Sequence, residues 1–320
     1  MDLLKLDNVK KSYKVRKKGT SYQLMAVNGV SFSVEDGKCV GLVGESGCGK
    51  STLGRLITGL ESPDAGNILF KGVSICEKNK RSFKFCRNIQ MVFQDSFDAV
   101  NPRFTAGQIV EEPLINLKKM SQAERTGQVE KLLEQVGIPV GEKNKYALEF
   151  SGGQLQRVCI ARALASDPSL IVLDEPLSSL DVSVQAQILN LLRDIKEERN
   201  LSYILISHDL EAVYYLADSL VVMYGGQVME QIQDISLFGK MIHPYTRMLL
   251  RSVPEYREKF GEKENLTESV WVDLGVQKKG FEGCPYCGRC REEMSVCKEQ
   301  RPDMTEIEEG HFVACHKWMR

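Results

Sequence analysis

The chain has 320 residues, 42% of them apolar and 27% charged, with a formal net charge of -1. That composition suits a soluble globular protein of one large or two smaller domains, and it argues against a nucleic-acid partner held mainly by counterion release. No signal peptide opens the sequence and no apolar run approaches the ~18 residues that span a bilayer, so the expectation is a cytosolic protein or one held at a membrane through other subunits.

From the N-terminus, Leu4, Leu6 and Val9 and then Val30, Phe32 and Val34 alternate loosely, which predicts short antiparallel strands with a Lys/Gly-rich hairpin near 16–20. The basic run from Lys10 to Lys18 reads as a solvated loop. Tyr13 lies within it, an aromatic of the kind that packs in a strand or stacks on a base. The apolar run Cys39 to Val43 then leads into Gly44, Glu45, Ser46, Gly47, Cys48, Gly49, Lys50, Ser51 and Thr52, with Leu53 to Leu60 behind. This is a strand, a phosphate loop and a helix. Three glycines let the backbone turn its N–H groups and a helix N-terminus toward nucleotide phosphates; Lys50 adds a point charge at the β/γ-phosphates, and Ser51 a hydroxyl for Mg²⁺.

Gly66 and Asn67 mark a turn before the strand Ile68 to Phe70, and Ile89 to Phe93 reads as a core strand ending on Gln94 and Asp95. Between about 95 and 150 the period becomes helical. Ser121 and Glu124 form a capping box, Val129, Leu132, Leu133 and Val136 share a face, and Gly137 stops the helix. The segment bounded by Pro102 and Pro113 is expected to be less regular and exposed. Leu170 to Leu173 is a buried parallel strand ended by Asp174 and Glu175. A long helix follows with Ile188, Leu191, Leu192 and Ile195 inward, then the strand Tyr203 to Ile206, a turn at His208, and a helix capped by Asp209. Strands alternating with helices mean an α/β domain with a largely parallel sheet, whose ligands sit at the C-terminal strand ends.

Hydrolysis of a nucleotide needs a second Mg²⁺ ligand, a base for the attacking water and a γ-phosphate sensor. Asp174 closes an apolar strand and fits the first role, Glu175 the second, and His208 the third. Ser151, Gly152, Gly153 and Gln154 open another helix. That second anion-binding terminus would be redundant beside the phosphate loop unless it closes over a nucleotide held by another subunit.

With these motifs the chain resembles the ATP-binding cassette ATPases over nearly its whole length. The resemblance implies a P-loop α/β core with an antiparallel β subdomain, a helical subdomain at about 95–165 and a Cys-rich extension, divided as a cassette over 1–240 and a tail over 241–320. It implies Tyr13 against adenine, Gly44 to Thr52 as the Walker A loop, Gln94 touching Mg²⁺ and water, and Ser151 to Gln154 as the signature. Asp174 and Glu175 become the Walker B pair, Ser179 to Asp181 the dimer-contact loop, and His208 the switch histidine. Phe150 stands where the family usually has Leu. The runs Gln94 to Arg103, Glu112 to Leu114 and His243 to Thr246 resemble the dipeptide/oligopeptide/nickel importers, and the second of their two ATPase subunits in particular. This implies an ATPase that works with Mg²⁺ as half of a heterodimer under two transmembrane permease subunits, peripheral on the cytoplasmic face, with an external binding protein delivering peptide or a nickel complex. A cassette acting on nucleic acid or ribosomes is the alternative.

Of the ten cysteines, Cys39, Cys48, Cys76, Cys86 and Cys159 are scattered and read as reduced, buried thiols, while the other five crowd into the last 37 residues. By spacing alone, Cys284, Cys287 and Cys290 resemble a ferredoxin run; Cys pairs with His311 or His316 would suit Zn²⁺. The importer branch has a similar tail that in some members holds a 4Fe-4S cluster. The resemblance implies Cys284, Cys290, Cys297 and Cys315 as ligands, with Cys287 an alternative ligand.

Overall fold

The computed structural model describes residues 2–17, 20–75, 83–118, 120–251, 253, 256 and 282–318. Two strands of 16 residues open the chain, β1 (Asp2–Lys17) and β2 (Thr20–Glu35). They are longer than the predicted short strands, and the basic run is strand through Lys17 rather than loop. Its alternation explains this: Val9 is buried, while Lys14 and Arg16 point to solvent. The predicted hairpin tip at 18 and 19 lies outside the described residues.

Strand β3 (Cys39–Val43) feeds helix α1 (Lys50–Ile57), followed by strands β4 (Ala65–Phe70) and β5 (Val73–Ser74). Next come α2 (Phe83–Asn88), β6 (Ile89–Val92), α3 (Ala106–Leu117), α4 (Gln122–Gln135) and α5 (Gly152–Ala165). After them lie β7 (Leu170–Asp174), α6 (Val182–Arg199), β8 (Ser202–Ser207), α7 (Leu210–Leu216), β9 (Ser219–Tyr224) and β10 (Gln227–Ile232). The C-terminal part carries α8 (Pro244–Leu250), α9 (Val296–Glu299), β11 (Thr305–Glu308) and β12 (His311–Val313).

The chain forms two compact units. One comprises Glu35–Lys38 and Glu77–Ile206, the other Asp2–Val34, Cys39–Cys76 and Ser207–Arg320. In the first unit β6, β7 and β8 pair in parallel, with Val92 opposite Leu173 and Asp174 opposite Ile206. Their residues are buried almost throughout, as the continuous apolar runs require. Helices α3, α4 and α5 pack together in this unit. The segment expected to be irregular is in fact helix α3, which a capping box of Thr105 and Gln108 starts. Pro113 sits inside it and forfeits one backbone bond; burial of Ala106, Ile109, Val110 and Leu114 holds the helix. Helix α4 begins at the expected Ser121–Glu124 box, and Gly137 follows it at φ 74°.

The second unit has an antiparallel sheet in the order β2-β1-β4-β5, and a set ordered β11-β12-β10-β9-β3. Strand β3 runs parallel to β9, and the remaining pairs of that set are antiparallel. Gly225 and Gly226, both at positive φ, make the β9–β10 turn. Among the described residues no helix is long and apolar enough to cross a membrane. Cys39, Cys48 and Cys159 are buried, as expected; Cys76 and the Cys86 side chain lie outside the described residues.

Candidate active site

In the second unit the buried strand β3 delivers the chain to the phosphate loop. Gly44 and Gly49 are held at φ 152° and 106°. A Cβ on Gly44 would stand 2.2 Å from the Met223 carbonyl oxygen, and one on Gly49 2.1 Å from that of Ala26, so the loop is seated against backbone on both flanks. Its tip, Ser46 and Gly47, is exposed. Helix α1 starts at Lys50 with no side-chain cap and no acidic residue in its first turn, which leaves its N-terminal dipole for an anion. Lys50 is 4% exposed. Its Nζ donates to the carbonyls of Gly44 at 2.7 Å and Glu45 at 3.1 Å, and lies 3.8 Å from Cys48 Sγ. The ammonium is thus folded onto its own loop, from which a phosphate oxygen can draw it. Ser51 is half-buried and Thr52 buried.

Tyr13 is placed beside α1. Its hydroxyl donates to the Glu61 carboxylate and lies in hydrogen-bond reach of Thr52; burial and then Glu61 raise its pKa. Lys11 Nζ stands 5.6 Å from its ring centroid. His208, exposed and one residue past β8, also belongs to this unit.

The first unit holds Gln94, Ser151 to Gln154, Asp174 and Glu175. Asp174 ends β7 and is 6% exposed. Glu175 adopts φ 47°, a left-handed conformation rare for a side chain of this kind, and its N–H donates to Ile206 O at 2.9 Å. Gln94 is exposed two residues beyond β6. Because Val92 pairs with Leu173, the end of β6 and the end of β7 lie at the same edge of the parallel sheet.

Ser151 caps α5 in a full capping box. Its Oγ accepts from Gln154 N at 3.3 Å, while Gln154 Oε1 accepts from Ser151 N at 3.1 Å. The stretch expected to be an anion site also carries a reciprocal box, the same pattern as Ser121 and Glu124. The box uses the N3 donor, Gln154 N, and does not engage the N–H groups of Gly152 and Gly153. A Cβ on Gly153 would meet Val184 Cγ1 at 2.4 Å, so glycine is needed for α5 to approach α6. Asp181 caps α6 by accepting from Val184 N at 3.0 Å; its hydrogen bond from Ser183 lowers its pKa. Phe150 is buried under Lys145, whose Nζ is 5.9 Å from its ring centroid.

The tail cysteines are free, and Cys284 lies within electrostatic range of Cys297, Cys315 and Cys290. Burial pushes the Cys284 thiol up to about 12, and the charges of Cys297, Cys315 and Cys290 add to it. Burial also raises Cys290 and Cys315. Cys287 instead bonds Glu293, which also accepts from Gly288 N at 2.6 Å. The expected ligand set is not assembled around an ion: among the described residues no group of three or more His, Cys, Asp or Glu side chains could hold a metal ion. The expected zinc candidates are otherwise engaged. His311 Nε2 is 2.8 Å from Glu230 Oε1, and His316 Nε2 is 2.8 Å from Gln300 O.

Residues with no role in the sequence motifs reach the phosphate loop from this end. Arg289 makes a two-pronged ion pair with Glu45, and Tyr245 accepts the Glu45 N–H at 2.8 Å. Both lie in stretches noted only for resemblance, and no local pattern announces a partner more than 190 residues away.

A glycine-turned phosphate loop opening a helix, a strand-end Asp-Glu pair and a Ser-Gly-Gly-Gln helix start define a P-loop ATPase of the cassette type. The ABC transporter profile matches residues 27–178, and that of the oligopeptide/dipeptide transporter C-terminal region matches residues 229–297. The chain is 44% identical to the oligopeptide transport ATP-binding protein AppF of Bacillus subtilis, across 98% of this chain and 97% of the relative. With the dipeptide transport ATP-binding protein DppF of Haemophilus influenzae it shares 41% identity, across 98% and 96%. The fold matches the dimeric ATP-binding cassette MJ0796 bound to ADP and Pi, with TM-score 0.65 and 30% identity over 71% of this chain and 97% of that one. The chain therefore belongs to the ABC transporter ATPases, in the branch that carries the oligopeptide/dipeptide transporter C-terminal region.

Proposed function

We propose that this ATPase is the second-type motor subunit of a peptide importer, with a cassette over 1–240 and a tail over 241–320. The observation that carries the reading is the joint match of cassette and C-terminal region, along almost the full length of relatives named for oligopeptide and dipeptide transport. ATP lies on Gly44 to Thr52 with its adenine at Tyr13. Lys50 leaves its carbonyls for the β/γ-phosphates. Ser51, Asp174 and Gln94 would hold Mg²⁺, a donor set of hydroxyl, carboxylate and amide oxygens that suits this hard cation, which would supply charge neutralisation at the phosphates. Glu175 takes the proton of the attacking water, and His208 bonds the γ-phosphate. Ser151 to Gln154 cover the nucleotide of a second, homologous ATPase subunit. Closure of that heterodimer drives two permease subunits at the cytoplasmic face, and an external binding protein supplies the peptide.

For the tail, the same reading assigns Cys284, Cys290, Cys297 and Cys315 to a 4Fe-4S cluster. Four thiols not joined in disulfides, with Cys284 in electrostatic range of the other three, support it. The cluster cross-links the tail. Anaerobic absorbance with metal analysis tests this: four iron per chain is expected, and one zinc per chain overturns it.

The import reading is tested by reconstituting the chain with its permeases, partner ATPase and binding protein in vesicles. Peptide-loaded binding protein should raise ATP turnover severalfold. Turnover indifferent to peptide, or co-purification with ribosomes in place of membrane subunits, would sink it.

A further inference from the structure

Glu45, the second residue of the phosphate loop, is held from three directions. Its carboxylate receives both prongs of Arg289, Nη1 to Oε2 at 2.8 Å and Nη2 to Oε1 at 2.9 Å. Its N–H donates to the Tyr245 hydroxyl at 2.8 Å, and its carbonyl accepts from Lys50 at 3.1 Å. Arg289 is itself fixed. Its Nη1 also donates to the Tyr224 hydroxyl at 3.0 Å, and the guanidinium lies 5.5 Å from the Tyr224 ring centroid and 5.8 Å from that of Tyr286. Tyr224, Tyr245 and Tyr286 are in mutual ring contact, with centroids 4.7 to 5.3 Å apart. The Cys284–Cys290 turn sets the backbone, since Arg289 N and Cys290 N both donate to Tyr286 O.

This arrangement has an electrostatic consequence. A nucleotide triphosphate brings several negative charges to the loop, where the Glu45 carboxylate would repel it. A bidentate guanidinium neutralises that carboxylate and fixes its direction, which a lysine point charge would not do. The same contact makes the geometry of the cysteine turn a determinant of the loop.

We propose that Arg289 is a positioning residue for nucleotide binding: it holds Glu45 neutralised and turned to the tail, so that the cysteine-rich turn sets the affinity of the phosphate loop for ATP. The proposal rests on the ATPase reading of the loop and not on the cargo. Its test is equilibrium titration of the full chain with a fluorescent ATP analogue, alongside ATPase kinetics. Arg289→Ala should raise Kd and KM about tenfold with kcat at saturation within about twofold, since the charge removed faces bound and free states differently but not the chemical step. Adding Glu45→Gln should return Kd to within about threefold of the starting chain, because the repelling charge goes with its partner. Arg289→Met keeps much of the stem on the tyrosine rings and carries the same expectation if the alanine variant does not fold. An unchanged Kd in Arg289→Ala or Arg289→Met overturns the proposal. So does a double variant as weak as the single one, or a fall in kcat at constant KM. Peptide stimulation plays no part in these readouts, so a chain that binds ATP without responding to peptide defeats the import reading alone.

Discussion

Glu175 and Gly49 show how single positions hold this site under strain. A glutamate at φ 47° costs of order 1 kcal/mol relative to ordinary backbone, and its N–H bond to Ile206 keeps it there. The strained turn carries the carboxylate past the strand end, where the proposed base must work. Glu175→Gln should lower kcat about a hundredfold or more while nucleotide binding survives, as read by phosphate release and by nucleotide titration. Turnover at the original rate would remove Glu175 from that role. At Gly49 the demand is steric, with φ 106° and a backbone oxygen where a Cβ would go. Gly49→Ala should cost roughly 2 to 4 kcal/mol in chemical denaturation, and a loss under 0.5 would show that the loop can shift. The phosphate loop was legible because its chemistry is local, a glycine pattern between a strand and a helix. Arg289 was not, because an ion pair between residues 45 and 289 has no periodicity to read.

At the level of elements, three of the described α-helices begin with the same reciprocal box: Thr105 with Gln108, Ser121 with Glu124, and Ser151 with Gln154. Ser121→Ala and Ser151→Ala should each destabilise the fold by about 1 kcal/mol. Only Ser151→Ala should also lower turnover in the assembled motor; equal turnover for the two variants would leave the signature with a structural role alone. The β11–β12 hairpin is tied to β10 by the buried pair of His311 and Glu230. Burial works against a charged His311, but the hydrogen bond and charge of Glu230 outweigh it and its pKa is raised. The tie is therefore at full strength below the ordinary histidine value of about 6.5 and is lost as pH climbs through the higher folded-state value. Melting temperature should fall more between pH 6 and pH 9 in the original chain than in His311→Gln, and parallel curves would contradict this. His243 behaves oppositely, since burial takes it down to about 4 and leaves it neutral as the cap that accepts from Tyr245 N. Helix α4 was readable from its box and apolar face. Helix α3 was not, since Pro113 argues against a helix until the buried face outweighs one lost bond.

For the whole molecule, the proposed function gives the phosphate loop and the signature each half of a nucleotide site, and the matched cassette MJ0796 was observed as a dimer. If the halves complete one another between subunits, specific ATPase activity of the motor should rise with subunit concentration, and Ser151→Ala should slow hydrolysis on the partner's phosphate loop. A dilute monomer with full turnover would contradict this.

Motif identity, the α/β class and the family were written in the linear order of residues, because backbone conformation, strand burial and phosphate chemistry all depend on neighbours a few positions apart. The packing of Gly153 against Val184, the strained Glu175 and the clamp of Arg289 and Tyr245 on Glu45 arise where distant segments meet. Such contacts depend on where folding brings the chain back upon itself, and so the link between the cysteine tail and the phosphate loop belongs to the folded molecule alone.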